Sequence, residues 1–132
     1  MSLPFSAPKV IDASAVRVKL RLPVPPSANV YWRKYCNRMV RSSEAEVFIA
    51  SVALLAGKLR THGWPTTLPV SLSFVWYRGK AAGDLDNRNK ALLDALQGIV
   101  YYNDRQVREM HAKLDDTDKG RPRMEVTVKA MG

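Results

Sequence analysis

The sequence predicts an α+β domain in which a single mixed β-sheet packs against two helices, in the order β-α-β-α-β-β. Stretches in which apolar and polar residues alternate occur near both ends of the chain and in its middle, as is typical of half-buried strands. Two further stretches carry apolar residues at helical spacing. A length of 132 residues, with 46% hydrophobic and 25% charged side chains, fits one globular domain over residues 1–132.

The N-terminal third is expected to contain one strand. Residues 1–14 are polar and contain prolines, so we expect a loose N-terminal arm. Val16 to Pro23 alternates apolar and basic residues, which predicts a strand with its basic side chains outward. Residues 27–43 are rich in aromatic and basic residues without a helical period. This segment is expected to form a loop with short extended pieces.

Ser43 to Arg60 predicts one continuous helix. Ser43 and Glu46 have the spacing of a capping box, and the basic residues near the end suit the helix dipole. The stripe expected to face the core consists of Val47, Ala50, Leu54 and Leu55.

The second half of the chain is expected to supply the other helix and three strands. Leu68 to Tyr77 alternates and is rich in β-forming residues. Asp86 to Gln97 predicts a helix that the following glycine closes. Val107 to Leu114 and Pro122 to Ala130 predict the last two strands.

The single cysteine, Cys36, excludes an internal disulfide framework and a cysteine zinc cage. The N-terminus lacks the cationic start and long apolar stretch of a secretory signal. We therefore expect a cytoplasmic protein in which Cys36 is a small buried residue and Trp64 and Trp76 belong to the core.

The charge distribution points to a polyanionic partner. The net charge is +9, with 12 basic and 3 acidic residues through Lys80 but 9 of each from Ala81 onward. Such an excess of cations favours nucleic acid, because each neutralised phosphate releases a condensed counterion. Seven of the eight aspartates lie between Asp84 and Asp118. This cluster is either a solvated acidic face or a metal site within a cationic surface.

Asp84, Asp86 and Asp104 are the candidate metal ligands. Asp84 and Asp86 are two residues apart, so in an extended segment both carboxylates point to the same side. We expect the chain to return Asp104 to the same end of the sheet. Carboxylate ligands suit Mg²⁺ or Mn²⁺, and Lys90, one helical turn after Asp86, is placed to contact a phosphate oxygen. The pattern is that of a metal-dependent phosphodiesterase.

A structural interpretation of these residues stays open on the spacing alone. Pairs of aspartates two residues apart are common in turns and helix caps. Asp86 would then be a helix cap, and Lys90 an exposed helix residue.

The run DLDNRNKALLDALQGIVYYNDRQV resembles the signature of the RusA-type Holliday junction resolvases. An N-terminal segment, LPVPPSANVYWR, is similar to the proline-rich segment of that family, and the resemblance extends from about Val16 to Ala130. One departure is Asn103, which stands where the family usually has the first of two acidic residues.

This resemblance implies a RusA-like fold and a homodimeric, Mg²⁺-dependent endonuclease of the kind typical of phages and prophages. Such enzymes resolve four-way branched DNA with paired symmetric nicks during recombination and repair. By resemblance, Asp84, Asp86 and Asp104 would be the catalytic metal ligands and Lys90 the catalytic lysine. Mg²⁺ is the expected cofactor, with Mn²⁺ as a possible substitute, and no membrane or organic cofactor is expected.

A second group of residues is expected to contact DNA or support the site. Basic side chains among aromatic ones grip nucleic acid through phosphate contacts and stacking, although an aromatic residue here, above all Trp32, could instead pack on the sheet. The expected DNA-binding residues are Arg33, Lys34, Arg38, Arg41, Arg78, Lys80 and Arg88. The supporting residues are Asn29, Asn87 and Asn103. Two alternative functions are a catalytically silent branched-DNA-binding protein and a metal-dependent nuclease with another DNA substrate.

Overall fold

The computed structural model describes residues 7–79, 88–118 and 120–132. A five-stranded mixed sheet with the order β1-β2-β7-β5-β6 forms its centre. The strands are β1 (Lys9–Ala13), β2 (Arg17–Leu22), β5 (Val70–Tyr77), β6 (Val107–Asp115) and β7 (Arg123–Ala130). Only the β5–β6 pair is parallel; the other neighbours are antiparallel. The predicted α+β class with one mixed sheet is therefore confirmed.

The N-terminal arm is a correction to the sequence prediction. Residues 1–6 lie outside the described part of the chain, but Lys9–Ala13 forms β1 and pairs with β2. Its residues do not alternate cleanly, because the register shifts between Val10 and Asp12. A pattern search based on period two therefore misses this edge strand.

The predicted long helix is two helices, α2 (Ser43–Ala53) and α3 (Ala56–Arg60). Ser42 is the N-cap of α2, since its side chain accepts a hydrogen bond from the Ala45 amide. The predicted N-cap at Ser43 is therefore one residue too late, and the predicted capping box is wrong because Ala45 has no side-chain acceptor.

The predicted stripe is wrong except for Leu55. Val47 is 54% exposed, Leu54 is 80% exposed at the break between the helices, and Ala50 is exposed as well. The buried positions are Ala45, Phe48, Val52, Leu55 and Leu59.

The aromatic and basic segment after β2 has more structure than the sequence predicts. It contains a short helix, α1 (Ala28–Tyr31), and a separate hairpin made of β3 (Trp32–Tyr35) and β4 (Arg38–Arg41). Cys36 and Asn37 form the hairpin turn with positive φ values of 49° and 62°. Cys36 is exposed at this turn, which corrects its predicted burial.

The core lies between one face of the sheet and the helices. β5 contributes Leu72, Phe74 and Trp76, and the last main helix, α4 (Asn89–Leu96), packs against α2. Trp64 and Trp76 are 2% and 0% exposed, as predicted for core residues. None of the helices in the described ranges combines the length and apolar character of a membrane span.

Candidate active site

The first feature of the candidate site is a polar cluster where α4 meets α1. Lys90 Nζ lies 3.4 Å from Asp94 Oδ1, one helical turn away. The hydroxyl of Tyr31 donates a hydrogen bond to Asp94 Oδ2. Both oxygens of Asp94 are therefore engaged, and Asp94 is the hydrogen-bond and ion-pair partner that holds this cluster together.

The base of the β3–β4 hairpin is joined to this cluster. The ring of Trp32, the first residue of β3, lies edge-on to Tyr31 with 5.0 Å between ring centroids. Lys90 Nζ lies 6.0 Å from the centroid of the Trp32 ring. Trp32 is 42% exposed, so it packs only in part. The lysine is thus held between a carboxylate and an aromatic ring that begins the basic hairpin.

Tyr101 is a buried residue that lies between α4 and Asp104 in the chain. The Tyr101 ring is buried, and its hydroxyl donates a 2.6 Å hydrogen bond to the Leu93 carbonyl of α4. Burial raises the pKa of the Tyr101 phenol, and the negative charges of Asp104 and Asp94 raise it further. The two carboxylates therefore act on one phenol, which keeps its proton.

Asp104 begins a single 3-10 turn, Asp104–Gln106, just before β6. The Asn103 side chain caps this turn by accepting a 2.9 Å hydrogen bond from the Arg105 amide. The Gln106 side chain accepts from the Asn103 amide and donates to the carbonyls of Thr66 and Leu68. Asn103 is therefore a capping residue, and Gln106 fixes the turn to the segment before β5.

The strand register places Asp104 relative to the sheet, whereas Asp84 and Asp86, with which it is predicted to converge, lie outside the described residues. In the parallel β5–β6 pair, Val70 is opposite Val107 and Tyr77 is opposite Asp115. Asp104 precedes Val107, so it lies at the end of the sheet where β5 begins rather than where β5 ends. The physical reason is that α4, about 12 Å long, carries the chain back along the sheet before β6 starts.

The predicted DNA-binding residues lie in three places. Arg33, Lys34, Arg38 and Arg41 are all exposed on the β3–β4 hairpin, where Arg41 also lies 3.5 Å from Glu46. Arg78 follows β5 and binds Asp116 through two hydrogen bonds. Arg88 precedes α4, lies 5.1 Å from the centroid of the Trp76 ring and donates to the Pro25 carbonyl. The exposed hairpin is the strongest cationic feature among these.

The other predicted site residues are divided by the described ranges. Asn29 is exposed in α1. Asp84, Asp86, Asn87 and Lys80 lie outside the described residues. The structure therefore brings Lys90 together with the hairpin base.

The last feature of the candidate site is the carboxylate of Asp104. It is exposed, and no described side chain forms an ion pair with it, whereas Asp94 is occupied by Tyr31 and Lys90. Within the three described ranges, no group of three His, Cys, Asp or Glu side chains could hold a metal ion. A carboxylate site for a hard cation thus requires Asp104 to act with ligands from outside these ranges.

The sequence predicts none of the contacts that Tyr31, Tyr101 and Gln106 make in the structure. Gln106 had a usable signal, since Asn103 and Gln106 have capping-box spacing. The two tyrosines carry no such sequence signal. Tyr31, for example, is 63 residues from the aspartate that it binds. Contacts over such distances depend on how α1 and α4 pack.

We expect Tyr31→Phe to lower the free energy of unfolding by about 2 kcal/mol, since hydrogen bonds to charged groups contribute about 1.5–3 kcal/mol. Tyr101→Phe, which loses a bond to a neutral carbonyl, is the matched control and should cost about 1 kcal/mol. Urea denaturation of both variants measures the difference. Burial and Asp94 raise the pKa of the Tyr31 phenol, so the phenol stays protonated over this range. Tyr31→Phe should therefore lose more stability than Tyr101→Phe at both pH 6 and pH 9. Equal losses, or a larger loss for Tyr101→Phe, would contradict this assignment.

Comparison with known proteins adds one finding. A family model described as Endodeoxyribonuclease RusA matches residues 23–129, which include the hairpin, α4 and the Asp104 turn. The search of curated proteins gave no match.

Proposed function

Because the chain belongs to the endodeoxyribonuclease RusA family, we propose that it resolves four-way DNA junctions by divalent-metal-dependent hydrolysis of phosphodiester bonds. The observation that supports this proposal most strongly is the contact between the basic hairpin and Lys90. Trp32 belongs to the hairpin and lies against Lys90, so DNA bound along the hairpin would pass beside the lysine. A surface for a polyanion and a candidate catalytic cation are thus adjacent.

Substrate binding is assigned to the hairpin. The segment from Trp32 to Arg41 carries four cationic side chains and no acidic one, and all four are exposed. Phosphate contacts of this kind position a nucleic acid without reading its sequence. Recognition by the shape of the branch is therefore favoured over recognition of a base sequence.

The catalytic roles are assigned to Asp84, Asp86, Asp104 and Lys90. The three carboxylates would hold Mg²⁺, or Mn²⁺ in its place, because both cations prefer oxygen ligands. The chemistry that such a cation supplies is activation of water and stabilisation of charge on the phosphate. Lys90, held by Asp94 and Trp32, would stabilise negative charge that develops on the scissile phosphate.

We further propose that the active species is a homodimer. A four-way junction has two-fold symmetry, and a two-fold dimer places one site at each of two opposed strands. Paired nicks in symmetric positions then follow from the symmetry of the assembly.

The proposal is tested by incubating the full chain with a synthetic four-way junction and Mg²⁺. We expect paired nicks near the branch point, no product in EDTA, and little cutting of a linear duplex of the same sequence. Junction binding without metal-dependent product would instead identify a catalytically silent branched-DNA-binding protein. Faster cutting of flaps or single strands would identify a nuclease with another substrate.

We expect the triple variant Arg33→Gln, Lys34→Gln, Arg38→Gln to bind junction DNA with a weaker salt dependence. The slope of log K against log salt should fall by about 0.9 for each phosphate that the variant no longer neutralises. Lys9→Gln, Lys58→Gln, Arg60→Gln removes the same charge from exposed positions outside the hairpin and serves as the control. Fluorescence anisotropy at several salt concentrations measures both slopes. Equal slopes for the two variants would mean that net charge, and not the hairpin, binds the DNA.

A further inference from the structure

The β3–β4 hairpin exposes apolar side chains on both of its faces. In an antiparallel pair, residues that are opposite each other share a face. The register pairs Tyr35 with Arg38 and Lys34 with Met39 near the turn. Tyr35 is 55% exposed and Met39 is 62% exposed, and they lie on opposite faces.

The two faces each combine two cations with two apolar or aromatic side chains. One face carries Tyr35 together with Arg33, Arg38 and Val40, and the other carries Met39 together with Trp32, Lys34 and Arg41. Each face therefore presents one large exposed apolar side chain near the turn and two cations. A hairpin that lies along the outside of a duplex contacts it with one face and needs cations only on that face. Cations on both faces instead suit a hairpin that lies between two DNA strands.

The hairpin is built to hold this shape. Cys36 and Asn37 both have positive φ values, and a two-residue turn of this kind matches the twist of the flanking strands. The hairpin forms its own two-stranded sheet, separate from the central sheet. A two-stranded ribbon is narrow enough to enter a DNA groove or the opening between two strands.

We propose that the β3–β4 hairpin is a strand-separating pin that enters the branch point of the DNA. On one face Tyr35 stacks on an unpaired base while Arg33 and Arg38 contact the flanking phosphates. On the other face Met39 contacts a base of the second strand, and Lys34 and Arg41 contact its phosphates. This inference rests on the proposed function and adds to it the element that opens the branch.

The direction of the hairpin would place one of the two DNA strands near the candidate site. Trp32 shares a face with Lys34 and Met39, and its ring lies against Lys90. A DNA strand held on the Met39 face is thus directed toward Lys90, whereas a DNA strand on the Tyr35 face is held away from this lysine. The pin would in this way select which strand is cut.

Charge favours DNA over a second copy of the chain as the occupant. The segment from Trp32 to Arg41 contains four cations and no anion, so two hairpins would repel each other. An unpaired base surrounded by phosphates offers both a ring to stack on and the opposite charge.

The test uses a four-way junction with 2-aminopurine at the branch point, mixed with the full chain in EDTA so that no cutting occurs. We expect the wild type to raise the fluorescence, because the base is unstacked. Tyr35→Ala with Met39→Ala should abolish most of this rise and weaken junction binding on the order of tenfold, as expected when base stacking is removed. Tyr35→Phe with Met39→Leu should restore the rise, and Leu54→Ala, an exposed apolar residue that follows α2, should leave it unchanged.

A second substrate separates this inference from the proposed function. A junction with unpaired bases at its centre needs no opening, so with Mg²⁺ the cutting deficit of the alanine variant should shrink on it. If the wild type cuts the junction but the alanine variant gives an undiminished fluorescence rise, the pin is wrong and the proposed function stands. A change of the alanine variant to monomers in sedimentation would also overturn the pin, since it would make the hairpin a contact between copies. If the wild type neither binds nor cuts the junction, the proposed function itself fails.

Discussion

Asp104→Asn should lower the rate of four-way junction cleavage more than about 100-fold at saturating Mg²⁺. Loss of a partner that only supports a metal ligand already costs about 10–100-fold, and a direct ligand should cost more. The asparagine keeps the size of the side chain but removes the charge that would bind the cation. Single-turnover cleavage of a labelled junction measures the effect.

The control for this variant is Asp12→Asn, which makes the same change on the exposed strand β1. It should cleave at close to the wild-type rate. Asp104 is exposed, and it is its backbone amide that donates a hydrogen bond to the Gln97 side chain. A change of the side chain leaves this bond in place, so both variants should keep the wild-type unfolding free energy within about 1 kcal/mol. A folded Asp104→Asn protein that cuts at the rate of Asp12→Asn would remove Asp104 from the site.

Trp76→Ala should lower the free energy of unfolding by about 3–5 kcal/mol, the range found when a buried large aromatic residue is truncated. Trp76 is fully buried on β5, which lies between β6 and β7. Its ring also lies under the Arg88 guanidinium, just before α4 begins. Removal of the ring thus leaves a cavity and removes the contact that positions Arg88, the residue before α4, the helix that carries Lys90.

Urea denaturation followed by tryptophan fluorescence and circular dichroism measures this loss. Trp32→Ala is the matched control, because it removes the same side chain from a position that is 42% exposed. We expect it to cost less than half as much. Similar losses in the two variants would mean that the core is not centred on β5.

Much of the central sheet was predictable from the sequence because it follows simple periods. β5 has the burial pattern of strict alternation, so its side chains report directly which face meets the core. β2 and β7 alternate in the same way. β1 was missed because a register shift interrupts its alternation.

The helical layer is harder to predict because no helix-breaking residue marks the break between α2 and α3 in the sequence. Neither Gly nor Pro stands at positions 54 and 55, so the periodic pattern is that of one continuous helix. The side chain of Leu54 is exposed to solvent there while Leu55 stays buried. Tertiary packing, rather than local propensity, determines this boundary.

Individual residues of the candidate site followed from the sequence, but their partners did not. Lys90 was singled out for its spacing from Asp86, whereas its ion pair with Asp94, one helical turn further on, is a finding of the structure. The contacts of this pair with Tyr31 and Trp32 join segments more than 50 residues apart. The predicted convergence of Asp104 with Asp84 and Asp86 involves residues outside the described ranges. The proposed metal-binding roles of Asp84, Asp86 and Asp104 stay predictions.

Anomalous scattering from crystals of the full chain grown with Mn²⁺ tests the shared metal site most directly. We expect one strong peak within about 2.0–2.2 Å of a carboxylate oxygen of Asp104, with Asp84 and Asp86 as further ligands, and no such peak for Asp104→Asn. A peak held by Asp84 and Asp86 with Asp104 remote from it, or a peak that is unchanged in Asp104→Asn, would contradict a single site built from these three carboxylates.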